Sequence, residues 1–252
     1  MQRLEGKCVI LTGAAGGIGS LVSAQLRGRG AYVTGVDRVD CSACDETIIG
    51  DLASREGLNA LADTLAARQV DILINSAGVQ YFGPAERQSQ DSLWMGYAVN
   101  LIAPVALTAA VLPQMKTRGS GQIVNIGSVL GSINYPYFAA YSSSKAGLEG
   151  YSEGLRRELH GLGIAVTHFC PRAVNTAFNN DAVNRFLSLA GMTADDPAFV
   201  ADRIVTAIIA RKAFASIGIK ERIFAAINAL MPGVIDAGLA GQTVKARQLF
   251  SS

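Results

Sequence analysis

Excess charge is what this sequence most lacks. Its 252 residues carry 22 Lys and Arg against 20 Asp and Glu, a net charge of only +2, and no basic run stands out. Phosphate-backbone contacts need clustered Lys and Arg, so nucleic acid is excluded as a partner. Long hydrophobic runs are also missing: no stretch of about 18 apolar residues occurs. No signal peptide precedes the apolar strand that begins shortly after Met1, so a cytoplasmic protein is expected. There is no internal repeat and no low-complexity linker. Cysteine is scarce, with four in all. Cys8 and Cys170 lie in strand-like apolar runs and are expected to be buried and inert. Cys41 and Cys44 form a Cys-x-x-Cys, which could be a redox pair or half a zinc site, but no second ligand pair accompanies it and the segment reads as an ordinary loop, so neither a redox nor a metal role is expected. The two histidines, His160 and His168, and the one tryptophan, Trp94, read as structural or packing residues.

What the chain does have is apolar bulk. Half of it is hydrophobic, and mean hydropathy is +0.28. Strands buried on both faces of a parallel sheet use that much apolar residue. The length suits one large α/β domain over residues 1–252.

Apolar runs alternate with longer helical patterns. Lys7–Leu11, Ala31–Val36, Thr47–Ile49, Val70–Ile74, Gln122–Ile126, Ala165–Phe169 and Ala215–Ile219 read as strands. Helices are expected near 17–29, 54–68, 89–117, 139–162 and 198–212. Such alternation means βαβ units, and right-handed crossovers make a doubly wound, Rossmann-like sheet. Ligands then bind where the strands end.

Gly13, Gly17 and Gly19 follow the first strand and open the first helix, a spacing of G-x-x-x-G-x-G. Glycines here let backbone approach a pyrophosphate, and the helix N-terminus offers free N–H groups. Gly13, Gly17, Ile18 and Gly19 are therefore expected to hold a dinucleotide. Asp37 ends the second strand. Its carboxylate can accept ribose hydroxyls and repels a 2′-phosphate, so NAD(H) is favoured over NADP(H). Arg38 is the counter-evidence. Asp51 and Leu52 follow the third strand and are placed at adenine. Asn75, Ala77 and Gly78 follow the fourth and are placed at the cofactor ribose.

Tyr141 and Lys145 stand four apart on one helix face. A free phenol, with a pKa near 10, is a poor base at neutral pH. An ammonium about 5 Å away, at an effective dielectric near 20, favours phenolate by roughly 3 kcal/mol, about two pKa units. A tyrosine so poised exchanges a proton with an alcohol or alkoxide. Ser128 ends the fifth strand, thirteen residues earlier, and its hydroxyl can share charge growing on a substrate oxygen. Asn100 sits inside a helix, where Asn is unfavourable. A buried role follows: either holding a water that relays protons from Lys145, or a satisfied structural amide.

Together these residues resemble the short-chain dehydrogenase/reductase family, from about residue 5 to about 218. The resemblance implies a seven-stranded parallel sheet in the order 3-2-1-4-5-6-7 and a catalytic set of Asn100, Ser128, Tyr141 and Lys145. It implies that Tyr141 and Lys145 also touch the cofactor, and that Val174 and Thr176 bind the nicotinamide carboxamide. It implies a homodimer or homotetramer through the helices at 89–117 and 139–162; Gly147, Gly150 and Gly154 fit close contacts there. Three departures stand out. Ser76 replaces an Asn. Arg172 stands where the family has Gly, and meets an anionic substrate group, points to solvent or pairs with an acid. The chain also continues past the seventh strand as a helical extension, 219–252.

Residues 177–197 correspond to the family's substrate lid, with Val183, Phe186, Leu187 and Ala190 at helical spacing. Leu130, Tyr135, Tyr137 and Phe138 can form the opposite wall. A lipophilic alcohol or ketone is the expected substrate. In the extension, Ile219, Ile223, Phe224, Ile227 and Leu230 share one helix face. That face packs on its own domain, pairs with another subunit, or lies on a membrane surface. The expected function is an NAD(P)-dependent alcohol/ketone oxidoreductase. The alternatives are an epimerase or dehydratase of the longer sister subfamily, and a catalytically silent NAD(H)-binding sensor or scaffold.

Overall fold

Seven short strands form the centre of the molecule: β1 (Cys8–Thr12), β2 (Tyr32–Asp37), β3 (Glu46–Ile49), β4 (Ile72–Asn75), β5 (Gly121–Ile126), β6 (Ile164–Cys170) and β7 (Phe214–Ser216). All pair in parallel, in the order β3-β2-β1-β4-β5-β6-β7. The computed structural model describes residues 4–251; residues 1–3 and 252, the ends of the expected domain, lie outside it.

The two-residue period of a strand divides the core in two. Val9 and Leu11 of β1, Ile72 and Ile74 of β4, and Val124 and Ile126 of β5 face one layer. That layer is closed by α1 (Gly17–Arg27) and α8 (Pro197–Ile209). Ile10, Leu73 and Ile123, the intervening residues, face the other. There α2 (Arg55–Ala66), α4 (Ala103–Arg118) and α6 (Ala139–Glu158) supply Leu61, Leu107, Met115 and Leu155. Burial on both faces is why the strands read as continuous apolar runs.

The expected helix over 89–117 is present and carries a π-turn at its middle. It is α3 (Gln90–Tyr97), a wide π-turn over Ala98–Ile102, and α4. Pro104 has no N–H to give the Asn100 carbonyl four residues earlier, which loosens the ladder at this point. By length and composition, Gln90–Arg118 is apolar enough to cross a membrane, yet half of its most apolar window is buried in the protein. A five-residue helix, α5 (Val129–Ile133), follows β5 and was not expected. β7 is shorter than read, because the chain turns at Gly218 (φ 94°) into α9 (Ile219–Leu230). The lid carries α7 (Asp181–Ala190), and α10 (Pro232–Gln248) ends the extension. Trp94 is a correction: it is 60% exposed on α3 and packs no core. Cys8 is only half-buried.

Candidate active site

The carboxyl ends of the strands surround a cavity of about 1260 Å³. Gly13, Gly17, Ile18, Gly19, Asp37, Asp51, Leu52, Ala77, Gly78, Ser128, Tyr141, Lys145, Val174 and Thr176 all border it. The glycine loop fits a dinucleotide. Gly13 has φ 71°, and a Cβ there would come within 2.7 Å of Ala77 Cα. A Cβ on Gly19 would sit 2.0 Å from the Gly13 carbonyl oxygen. Gly16 leaves the first turn of α1 without a side-chain cap, so its N–H groups remain for an anion. Thr12 fixes the loop against β4: its Oγ1 accepts from the backbone N–H of Ser76 and of Ala77, both at 3.1 Å.

Asp37 is pre-positioned. Its Oδ2 accepts from Ala15 N at 3.0 Å and its Oδ1 from Arg38 N at 2.7 Å. Cys41 and Cys44 stitch the same loop from behind. Both are buried free thiols; Cys41 Sγ donates to the Ala14 carbonyl at 3.1 Å, and Cys44 Sγ lies 3.3 Å from Ser23 Oγ. Burial pushes the Cys44 thiol up to about 11, so neither the setting nor the acidity suits a redox pair.

Asn75 does not border the cavity. It is buried between strands, and its Nδ2 donates to Asn125 Oδ1 at 2.8 Å. Its expected place at the ribose is thus corrected to an inter-strand tie.

Ser128 caps α5, accepting from Leu130 N at 3.1 Å. With that lone pair used, its O–H is left to donate into the cavity. Lys145 is buried, and its Nζ donates to the Ile126 carbonyl at 2.9 Å. The ammonium lies 6.0 Å from the centroid of the Tyr141 ring. The phenol is not lowered as the sequence suggested. Burial pushes Tyr141 up to about 12, partly opposed by the Ser128 hydroxyl, and brings Lys145 down to about 8. Both shifts share one cause: water is withdrawn from two groups whose charged forms need it.

Asn100 stands behind this pair rather than in the cavity. Its Oδ1 accepts from Val79 N at 2.9 Å, and its Nδ2 donates to Val79 O at 2.8 Å and to Ser144 Oγ at 3.1 Å. The amide is spent on protein partners, so the water-holding reading gives way to the structural one. It joins the loop after β4 to the helix turn that carries Lys145. π-turns recur at functional sites, and this one aims Asn100.

Arg172 pairs with acids rather than facing the cavity as a free cation. Its Nε lies 3.1 Å from Asp195 Oδ2, its Nη2 bonds Asp195 Oδ1, and its Nη1 lies 3.2 Å from Glu221 Oε1. Asp195 and Glu221 both raise the guanidinium pKa. The side chain thus ties the end of β6, the lid and α9 together. Pairing with an acid is one of the sequence readings of Arg172, but which acids is not legible there, because they lie 23 and 49 residues away. Sequence reasoning missed Gln80, whose Nε2 reaches the Phe178 carbonyl at 2.7 Å, and Phe178, whose ring centroid lies 6.3 Å from that of Tyr141.

The lid and the extension close the far side. Phe82, Tyr135, Phe138, Val183, Phe186 and Leu187 form a third buried cluster, joined by Ala246 of α10 and flanked by Phe250. Phe82 stacks on Phe138 at 4.6 Å and meets Phe250 edge-on at 5.2 Å. Leu130, Tyr135 and Phe138 line the cavity as expected; Tyr137 instead stacks on Phe250 at 5.4 Å. Phe224 and Ile227 of α9, with Ile235 and Leu239 of α10, form the outer wall. Ile219, Ile223 and Leu230 remain exposed.

This is the architecture of a nucleotide-dependent oxidoreductase, with its polar groups gathered at the strand ends beside an apolar chamber. The short chain dehydrogenase profile matches residues 7–185, and the chain belongs to that family. It is 34% identical over 223 residues to the ketoacyl reductase HetN of Nostoc sp., covering 82% of this chain and 77% of that one. A short-chain dehydrogenase from Streptomyces avermitilis superposes with TM-score 0.77 at 30% identity, over 96% and 97% of the two chains. One from Sphingobium yanoikuyae, in complex with NADPH, gives TM-score 0.76 at 25% identity, over 91% and 95%.

Proposed function

We propose that this protein interconverts an alcohol and a ketone on a lipophilic substrate, with NAD(H) as the preferred cofactor. The bound nicotinamide supplies or accepts the hydride. One observation carries the reading: Ser128, Tyr141 and Lys145 converge on one cavity whose other wall is apolar and aromatic. Ser128 donates to the substrate oxygen and Tyr141 transfers the proton. The Lys145 ammonium, held by Ile126, faces the phenol and favours its ionised form once the cofactor completes the site. Asp37 would hold the adenosine ribose, Asp51 and Leu52 would hold the adenine, and Val174 and Thr176 would hold the carboxamide; all five border the cavity. The neighbour bound to NADPH supports a nicotinamide dinucleotide of either type; the preference for NAD(H) rests on Asp37.

The substrate enters under a lid, 177–197, and against the extension, 219–252, of a single catalytic domain. Aromatic packing by Phe138 and Phe186 and the α9–α10 wall support a bulky apolar substituent on the carbonyl. The working form is a homo-oligomer. Gly147 packs on Leu101, but a Cβ at Gly150 or Gly154 would meet nothing within 4 Å among the described residues, and Trp94 and Ile102 stand exposed on the neighbouring helix; a second copy would cover this face. The cytoplasm is its proposed place; half of the most apolar window of Gln90–Arg118 is buried in the protein, and α4 supplies core residues there.

The test is the near-ultraviolet absorbance of the reduced nicotinamide, followed with a panel of secondary alcohols and ketones of increasing bulk. Turnover with kcat/KM rising with apolar bulk is the expected result. Tight NAD(H) binding without turnover across the panel would establish the sensor instead.

A further inference from the structure

Behind the catalytic pair, on the far side of α5, lies a second cavity of about 420 Å³, bordered by Glu149, Glu153, Cys170, Phe214, Ser216 and Arg222. Three side chains with ligand atoms meet at its inner edge. One atom each from Glu149, His168 and Cys170 lies within 4.8 Å of the other two. They come from α6 and from alternate residues of β6, which point to the same face of the sheet.

His168 is the telling member. It is 3% exposed, and its Nε2 has no hydrogen-bond partner. Buried polar atoms are seldom left so. Its Nδ1 lies 3.1 Å from Ser152 Oγ, and Phe214 stacks on the ring at 6.1 Å. Both contacts fix the imidazole with Nε2 turned away from them. Gly127 makes room on that side: a Cβ there would fall 2.4 Å from Nε2 and 3.4 Å from Cys170 Sγ. The two atoms therefore border one small space. Ser216 Oγ, at the margin of the same cavity, is also buried without a partner.

We propose that Glu149, His168 and Cys170 form a binding site for a borderline-soft divalent cation, of which Zn²⁺ is the type. Three atoms no more than 4.8 Å apart have a common point at most about 2.8 Å from each, so small side-chain rotations bring them to metal–ligand distances of about 2.0–2.3 Å. The donor set of nitrogen, thiolate and carboxylate is one that Zn²⁺ takes. Glu149 and Cys170 border the cavity, which leaves room for water as a fourth ligand. Ser152 is the partner that holds the other ring nitrogen, as ligating histidines require. Burial keeps His168 neutral, at about 4, which leaves the ring free to ligate. It also holds the Cys170 thiol protonated, at about 12; coordination releases that proton. The thiolate and the Glu149 carboxylate then cancel the charge of the ion. Lys145, Glu153, Arg222 and Glu221, the last paired with Arg172, are the other charged groups nearby, and a neutral complex is compatible with the Lys145 ammonium.

Cobalt(II) is the probe, because a Co²⁺–thiolate bond gives a near-ultraviolet charge-transfer band that does not depend on turnover. The full chain is stripped with chelator and titrated with Co²⁺, then with Zn²⁺. One band should saturate at one equivalent and bleach on adding Zn²⁺. It should persist in Cys41→Ser/Cys44→Ser and vanish in Cys170→Ser. Glu149→Gln, a change at a half-exposed residue, and Ser152→Ala should each weaken binding by about 10- to 100-fold. Absence of the band in the unmutated protein overturns the proposal. So does a band that survives Cys170→Ser, one lost with Cys41 and Cys44, or an affinity unchanged by Glu149→Gln.

Discussion

The Nζ of Lys145 lies 2.9 Å from the carbonyl oxygen of Ile126, the last residue of β5. Ser128 follows two residues later, so one strand end sets both the ammonium and the hydroxyl beside the phenol of Tyr141. The phenol is the group whose removal is most selective. Tyr141→Phe keeps the ring near Phe138 and Phe178, at 6.4 and 6.3 Å, and removes only the proton donor. Turnover is expected to fall by roughly 10²–10⁴-fold, the usual worth of a positioned acid or base. Cofactor affinity, read by fluorescence titration, should stay near its original value. Unchanged kcat would remove Tyr141 from the chemistry.

Burying Lys145 has a thermodynamic cost with a definite pH dependence. Its pKa falls from 10.5 to about 8 because burial penalises the ammonium. Between those values the unfolded chain carries the proton and the folded protein does not, so this group makes stability rise with pH across that window. At pH 7 the cost is about 3 kcal/mol, from 1.36 kcal/mol per unit. The lost bond to Ile126 returns about 1 kcal/mol. Lys145→Met is therefore expected to stabilise the cofactor-free protein by about 2 kcal/mol at pH 7. That gain should shrink steadily above pH 8 and be gone by about pH 10.5. Urea denaturation of both proteins at several pH values measures it. A variant less stable at pH 7 would contradict the assigned cost.

Asn100→Ala should act on geometry. The substitution removes three hydrogen bonds, to both backbone groups of Val79 and to Ser144, and leaves buried partners unpaired. A loss of roughly 3 kcal/mol is expected, with kcat lowered and cofactor affinity little changed. Asn100→Asp restores the acceptor to Val79 N but not the donors, so it should recover only part of the stability. Equal stability of all three proteins would show that the amide holds nothing in place.

These residues show what a sequence discloses and what it withholds. Strand ends and the motif positions were legible because they are local: Gly13 follows β1, Asp37 ends β2, Ser128 follows β5, and Tyr141 and Lys145 share a helix face. Alternate burial along β1, β4 and β5 made the doubly wound sheet legible too. The π-turn at Ala98–Ile102 was half visible, since Asn100 was out of place in a helix, but the meaning of Pro104 emerges only with the turn in view. The pKa of Tyr141 was misjudged because spacing gives the distance to a charge and says nothing of burial. Asn75 was misplaced because its strand-end position did not reveal that its side chain points between strands. The Arg172 clamp and the meeting of Glu149 with His168 and Cys170 depend on tertiary approach, which no local pattern encodes.

Arg172 supplies a prediction about the lid. It bonds Asp195 through two nitrogens and Glu221 through a third, and the Asp195 side chain is only 10% exposed. Arg172→Ala removes charge-assisted hydrogen bonds worth roughly 1–3 kcal/mol. Because α9 carries Phe224 and Ile227 into the cavity wall, KM for bulky ketones should rise while KM for the cofactor stays. Glu221→Gln cuts only the α9 arm and should reproduce the KM effect with a smaller fall in Tm. An unchanged KM in both variants would mean that α9 does not shape the substrate chamber.

Asp37 decides between the two nicotinamide dinucleotides by charge. Its carboxylate is fixed by the N–H groups of Ala15 and Arg38, so it cannot swing away from a 2′-phosphate without giving up both bonds. A phosphate about 4 Å away, at an effective dielectric near 20, would be repelled by about 4 kcal/mol per unit charge before Arg38 compensates. NAD should accordingly bind at least tenfold more tightly than NADP. Asp37→Ala removes the repulsion and leaves Arg38, which also borders the cavity, free to meet the phosphate. The variant should lose affinity for NAD, gain affinity for NADP and close most of the gap. Calorimetric titration of both proteins with both cofactors reads all four affinities. Equal binding of NAD and NADP by the unmutated protein would show that Arg38, not Asp37, governs the adenosine end of the site.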